Sequence, residues 1–364
     1  MAAGPKVKKT STVIPTGMAQ LRDQMVKRYG EERVRTRSKV EPYKTISTGS
    51  LTLDLATRVG GWVRGRTHEI VGPEGVGKTT LCIHSMIDAQ RQGLAVGFID
   101  MEQTWDWDWA EANGLDTSDD AFFYVMPDDS EDVSDQLRML CRTKLFGAIY
   151  LDSIGGMESK QALGKEAEEV TMGRNAQVIT RMVKKVAVEA RTNEVAIVFV
   201  NQYRANLSGM GSDISAGPKA LKYATTMKVA MRRTAEPQMK RTINGDEVPF
   251  GTQIKAKVER NKTAPMGFSG DFWIFNQATD EYGPIGIGHA DEALAVGVAT
   301  GVIEQGGGGN YVLPGGVKYR GKEKVLQALY AEPDLVESIR TLAIASKEND
   351  VVPAESLVED GVEE

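Results

Sequence analysis

The sequence predicts an α/β protein whose core is a mostly parallel, twisted sheet. Between about Thr45 and Phe275 short apolar runs alternate with longer stretches of helical periodicity, and four runs, His68–Gly72, Ala95–Asp100, Ala148–Asp152 and Val195–Asn201, read as buried strands. Strands separated by helices need crossovers, which make their neighbours parallel. A glycine-rich turn, Gly72 to Thr79, follows the first run and opens a helical pattern, as the turns of such sheets do.

The elements follow in chain order. Residues 1–44 form an arm with one helix over Met18–Tyr29, where Met18, Leu21, Met25 and Val26 recur at helical spacing. Residues 45–276 form the α/β core, and its last runs, Met227–Arg233, Thr252–Arg260 and Phe272–Phe275, lack long helices between them. They read as antiparallel additions to one edge. Residues 277–345, with Gly306 to Gly309 and Gly315-Gly316, read as a small C-terminal domain, and 346–364 as a tail.

Composition bounds the function. The 364 residues are 41% hydrophobic and 26% charged, enough to bury a large core. Cys82 and Cys141 are the only cysteines, which excludes a disulfide framework or a cysteine-rich zinc site and fits a reducing compartment. No stretch approaches eighteen apolar residues and the first sixteen lack a secretory apolar block, so a cytoplasmic protein with no membrane partner is expected. The net charge is −6, and residues 347–364, with one lysine against seven acids, carry all of it. Residues 1–44 hold eleven Lys and Arg against four acids. Charged ends are commonly solvated; an acidic tail on a balanced body also suits a protein that screens its own polyanion site.

Gly72-Pro73-Glu74-Gly75-Val76-Gly77-Lys78-Thr79, followed by Thr80, fits G-x4-G-K-[ST] between a strand and a helix. The glycines let the backbone aim consecutive N–H groups at a phosphate, the helix presents its positive end, and Lys78 adds a charge near the terminal phosphate. A nucleotide is the expected ligand, with the Thr79 hydroxyl on Mg2+. Asp152 ends an apolar run, so its carboxylate projects from the sheet edge where ligands collect. It reads as a second Mg2+-contacting acid, although strand-end acids also cap helices. Glu102 follows Ala95–Asp100 in the same way and could polarise an attacking water or be a solvated loop acid.

These residues resemble the bacterial RecA recombinases. Ile46 to Asp54, Gly72 to Thr80, Phe98 to Glu102, Leu151 to Ile154, Phe199 to Gln202 and Arg260 to Lys262 look like that family's signatures, in its order, and the match covers about residues 15–345. The resemblance makes the nucleotide ATP and implies a RecA-type P-loop ATPase core, and a DNA-dependent ATPase that polymerises on single-stranded DNA and exchanges strands with homologous double-stranded DNA. It also implies Glu102 as catalytic carboxylate, Asp152 as Walker B acid and Asp106 with Trp109 around the adenine, Trp109 replacing the usual tyrosine. Gln202 matches the γ-phosphate sensor, and Arg260 and Lys262 match bases inserted toward a neighbouring protomer's nucleotide in a helical homo-oligomeric filament. Trp105 and Trp107 read as packing.

Two segments match the family's DNA-contacting loops. Lys160 to Arg174, with Met172, Gly173 and Arg174, precedes a helix carrying Thr180 and Lys184; Tyr203 to Lys219 carries Arg204, Gly217, Pro218 and Lys219. Few cations in either suggest grip by backbone amides, which suits sequence-independent binding. The C-terminal domain would gather duplex DNA. The chain departs from the family at Arg260, usually Lys, at Gly217-Pro218, usually a Gly pair, at Thr171 and Gln177, and in a second loop two residues shorter, which marks a divergent member. A hexameric helicase or motor ATPase of the same core class, and a regulatory ATP-binding module, are the alternatives. The first lacks support from any separate N-terminal domain here, and the second would not need Glu102.

Overall fold

The structure, a computed structural model, describes residues 17–31, 34, 42–157, 168–204, 214–215, 219–234, 239–243, 246–279 and 283–346. It divides into two compact units, residues 1–43 and 44–364. In the first, helix α1 (Met18–Tyr29) has the bounds its periodicity predicts, with Met18, Leu21 and Met25 exposed. The acidic tail from Lys347 lies outside the described residues.

The second unit runs β1 (Thr45–Ile46), α2 (Leu51–Thr57), β2 (Trp62–Val63), β3 (Thr67–Val71), α3 (Lys78–Arg91), β4 (Ala95–Asp100), α4 (Trp107–Ala112), β5 (Phe122–Val125), α5 (Ser130–Thr143), β6 (Phe146–Asp152), α6 (Glu168–Asn193), β7 (Ala196–Asn201), β8 (Tyr203–Arg204), β9 (Ile214–Ser215) and α7 (Lys219–Ala224). It continues with β10 (Met227–Arg233), β11 (Met239–Ile243), β12 (Asp246–Asn261), β13 (Ser269–Phe275), β14 (Gly286–Ile287), α8 (His289–Thr300), β15 (Glu304–Gly306), β16 (Asn310–Val312), β17 (Lys318–Arg320), α9 (Lys322–Ala331) and α10 (Pro333–Ser346).

The main sheet has the order β14-β13-β12-β10-β3-β7-β6-β4-β5, with β11 paired to β12. From β10 to β5 every pair is parallel, and β12, β13 and β14 add antiparallel at one edge, as the sequence predicts. All five residues of β3 are buried, which is what a strand covered on both faces requires. One core cluster packs α3, through Leu81, Ile83 and Met86, on one face of the sheet. The other packs α5 (Val133, Leu137) and α6 (Ile179, Val183) on the opposite face. A separate cluster of Ala290, Leu294, Tyr311, Leu326, Leu329 and Ile339 holds the C-terminal helices and their three short strands.

The topology decides where chemistry can sit. Strands β3, β7, β6 and β4 are consecutive neighbours, so the segments that leave their C-terminal ends share one edge. Among the described residues no helix is long and apolar enough to cross a membrane.

Strand ends shift by one to three residues elsewhere, and two boundaries differ by more from the sequence reading. Strand β12 starts at Asp246 rather than Thr252 because it continues into a hairpin with β11, whose polar face and Pro249 hide the alternation. Helix α6 starts at Glu168, inside the segment expected to be a loop as far as Arg174.

Candidate functional site

The turn after β3 is built from glycines at positions where a side chain meets backbone strain or close neighbours. Gly75 and Gly77 have φ of 67° and 88°, in the left-handed region. A Cβ on Gly77 would collide with the Ile274 side chain, and one on Gly72 would lie 2.7 Å from the Met231 carbonyl oxygen. Pro73, Glu74 and Gly75 are exposed, while Val76, Lys78 and Thr80 are buried, so the loop is an open rim on an anchored base. The first N–H groups of the 14-residue α3 have no partner within their own helix. Lys78 Nζ donates to the carbonyls of Gly72 (3.0 Å) and Pro73 (2.8 Å), folded against the loop it would leave for a phosphate. Burial lowers its pKa, and the neighbouring Asp152 and Glu102 carboxylates oppose that shift.

Thr79 Oγ1 donates to Asp152 Oδ2 at 2.9 Å, so the helix hydroxyl and the strand-end acid meet as the sequence predicts. Burial pushes the Asp152 carboxyl up to about 6 against the pull of the Thr79 hydrogen bond. No group of three or more His, Cys, Asp or Glu among the described residues could hold a metal. A hydroxyl beside a single carboxylate fits Mg2+, which takes few protein ligands and completes its shell with phosphate and water oxygens. Glu102 is exposed beside this pair. Its Oε1 accepts from Ser153 Oγ (2.5 Å) and from Gln202 Nε2 (3.1 Å). Lys78, Thr79, Glu102, Asp152 and Gln202 thus converge, and Ser153 joins them unforeseen; its only signal was adjacency to Asp152.

A second relation escaped the sequence reading. Glu69 lies in the middle of β3, and its Oε1 accepts from Asn201 Nδ2 at 2.8 Å, while Asn201 Oδ1 accepts from Gln202 N at 2.9 Å. A lone acid within an apolar strand was the available signal. This chain of bonds fixes the backbone from which Gln202 reaches Glu102.

Asp106 caps α4, accepting from Trp109 N at 2.9 Å, and Trp109 is half-buried against the core. Trp105 lies 4.4 Å from Phe98 and 5.3 Å from Phe122 between ring centroids and packs on the core as expected, whereas Trp107 is 43% exposed, its ring edge-on to Tyr124 at 5.2 Å.

A family profile described as the RecA N-terminal domain matches residues 17–276. The chain belongs to the RecA family. It is 31% identical to Protein RecA of Oleidesulfovibrio alaskensis over 81% of this chain and 80% of that one. It is also 31% identical to Protein RecA of a Nocardioides species over 93% and 91%, and 32% identical to that of Allochromatium vinosum over 82% of each. The family fold, a RecA-type core with an N-terminal helix and a small C-terminal α/β segment, is the one observed.

The segments that match the family's DNA-contacting loops in sequence are described in part. Met172, Gly173 and Arg174 belong to α6, and further along it Thr180 Oγ1 donates to the Ala176 carbonyl (2.6 Å) while Lys184 is exposed. Arg204 belongs to β8, which pairs with β9 to close the base of the second loop, and Lys219 opens α7. Gly217 and Pro218 lie outside the described residues. Lys228 Nζ sits 5.9 Å from the Tyr203 ring centroid, a cation beside this loop that the sequence did not single out.

Arg260 and Lys262 stand away from the phosphate loop. Arg260 pairs with Lys228, and Lys228 with Glu69, two strands across and three residues back from Gly72. Arg260 Nη1 donates to the Lys222 carbonyl (2.9 Å) and Thr225 Oγ1 (3.0 Å), and Lys262 Nζ to the Tyr223 carbonyl (2.5 Å). Both cations thus cap the C-terminal end of α7, where helix carbonyls lack partners. Burial and the Arg260 charge lower the Lys262 pKa.

Proposed function

We propose that this chain is an ATP-dependent recombination protein that forms a helical filament on single-stranded DNA, hydrolyses ATP in a DNA-dependent way, and exchanges strands with homologous double-stranded DNA. One observation carries this reading: four adjacent strands deliver Lys78 with Thr79, Gln202, Asp152 and Glu102 to a single sheet edge. Family membership adds the recombination role.

ATP with Mg2+ would supply the phosphoryl group that passes to water. The loop from Gly72 to Thr80 would bind the phosphates through its N–H groups and Lys78, Thr79 and Asp152 would hold the metal, and Asp106 and Trp109 would receive the adenine. Glu102 would orient the attacking water and take its proton. Both hydrogen bonds to this carboxylate run to Oε1, which anchors that oxygen and leaves Oε2 for the water. Gln202 touches Glu102 and directly precedes β8, so a change at the phosphate can reach the second DNA loop through one residue.

Arg260 and Lys262 would act on a neighbour's nucleotide. Their place two strands from Gly72, bonded to α7, favours action between protomers over action within one. Met172, Gly173, Arg174, Thr180, Lys184, Arg204, Gly217, Pro218 and Lys219 would face DNA; from Met172 to Lys184 the helix takes up the backbone amides, so grip there would fall to the cations of α6 rather than to free N–H groups.

ATP turnover with and without single-stranded DNA tests the reading. Stimulation of about tenfold or more, 1.4 kcal/mol in barrier, is expected. Equal turnover without DNA would contradict it.

A further inference from the structure

Asp100 ends β4 beside Asp152, its register partner on β6, yet the two carboxylates face different tasks. Asp100 is 1% exposed. Its Oδ1 accepts from the backbone N–H of Glu102 (3.0 Å) and Gln103 (2.8 Å). Its Oδ2 accepts from the N–H of Thr104 (3.0 Å) and Trp105 (3.0 Å) and from the Tyr124 hydroxyl (2.9 Å). Four successive amides therefore converge on one side chain, and a fifth donor from β5 holds it from the other side.

Five donors occupy a carboxylate that has about four lone-pair directions, so Asp100 has no lone pair left to face a water molecule or a metal. Its place is structural to the loop that carries Glu102. That loop includes Gln103 at φ 54°, a left-handed conformation that a non-glycine residue adopts only when its surroundings impose it. The Trp105 ring, stacked on Phe122 and tilted against Phe98, secures the far end. Only an acceptor-only group suits the site: an amide would turn its NH2 against at least two of the N–H donors.

We propose that Asp100, held by Tyr124, is a positioning residue that fixes the catalytic carboxylate of Glu102 for ATP hydrolysis. The proposal rests on the reading of Glu102 above. It assigns to Asp100 a role in the rate of hydrolysis and none in gripping phosphate, because Lys78 and the Gly72–Thr80 loop belong to other elements.

The test is a double-mutant cycle on the full chain. DNA-stimulated turnover and KM for ATP are measured for the wild type, Asp100→Asn, Tyr124→Phe, Glu102→Gln and the combinations with Glu102→Gln, slow variants being followed in single turnover. Asp100→Asn should lower kcat by about 100-fold, the scale of a catalytic group misplaced by about 1 Å, with KM nearly unchanged. Tyr124→Phe, which removes one hydroxyl and should fold normally, should lower kcat by about three- to tenfold, the worth of one hydrogen bond. In the Glu102→Gln background neither change should slow the residual turnover further, since nothing is left to position. Multiplicative losses in the double variants would overturn the proposal by revealing general damage. So would a Tyr124→Phe enzyme with wild-type kcat while Glu102→Gln is inactive. A Glu102→Gln enzyme of normal turnover would instead overturn the reading of Glu102, and the proposal with it.

Discussion

Gln202 Nε2 donates to Glu102 Oε1 across 3.1 Å, joining the end of β7 to the loop after β4. The two residues are a hundred positions apart in sequence, and they meet because β6 alone separates their strands in the sheet. The bond makes the amide a partner of the carboxylate that would activate water, while its backbone leads directly into β8.

Replacing Gln202 by Ala should therefore lower DNA-stimulated hydrolysis by about tenfold or more, from the loss of a charge-assisted hydrogen bond, with ATP affinity kept within about threefold. Steady-state turnover and equilibrium nucleotide binding measure the two separately. Equal loss of both would indicate that Gln202 supports the fold of the loop rather than Glu102.

Lys78→Ala removes the loop's own cation and the donor to the Gly72 and Pro73 carbonyls. Turnover should fall by about 100-fold or more, the scale of losing one preorganised donor at a site of developing charge. Turnover within about twofold of wild type, by the same scale, would contradict the Walker assignment.

Lys262→Ala should be inactive alone, since the missing base would belong to a neighbour's site. Mixed with Glu102→Gln protomers it should regain part of the activity, because some interfaces then join an intact Glu102 to an intact Lys262. Turnover that follows only the sum of the two preparations at every mixing ratio would indicate action within one protomer.

His68 gives a prediction about stability. It is fully buried with Nε2 2.9 Å from the Val63 carbonyl, and burial, aided by the Arg66 charge, lowers its pKa to about 4. Above pH 6.5 both folded and unfolded chains hold it neutral; as pH falls from 6.5 toward 4 only the unfolded chain takes up the proton, so stability is lost. His68→Gln keeps a donor for Val63 and removes the titration. Between pH 7.5 and 5.5 urea unfolding should register a loss about 1.4 kcal/mol smaller in the variant than in the wild type. Equal losses would mean that His68 titrates alike in both states.

The parts of the site that could be read in the sequence sit where apolar runs stop. Lys78, Glu102, Asp152 and Gln202 each follow a buried strand, and a parallel sheet gathers such ends at one edge. The clamp on Asp100 was not legible, because an aspartate closing Ala95–Asp100 has the same pattern whether it faces solvent or four backbone amides. Glu69 and Asn201 escaped because their partnership crosses two strands 132 residues apart. Strands β15, β16 and β17 have three residues each, too few for alternation to register. Arg260 and Lys262 could be named from a motif, but their attachment to α7 depends on the register of β12 with β10.

The most direct test of the central claim is electron microscopy of the full chain with single-stranded DNA and a slowly hydrolysed ATP analogue. An extended helical filament that requires both is the expected result, and its loss in Lys78→Ala should accompany the loss of turnover. Closed rings, or protomers scattered along the DNA without contact, would contradict a filament whose nucleotide sites are completed by Arg260 and Lys262 of the adjoining protomer.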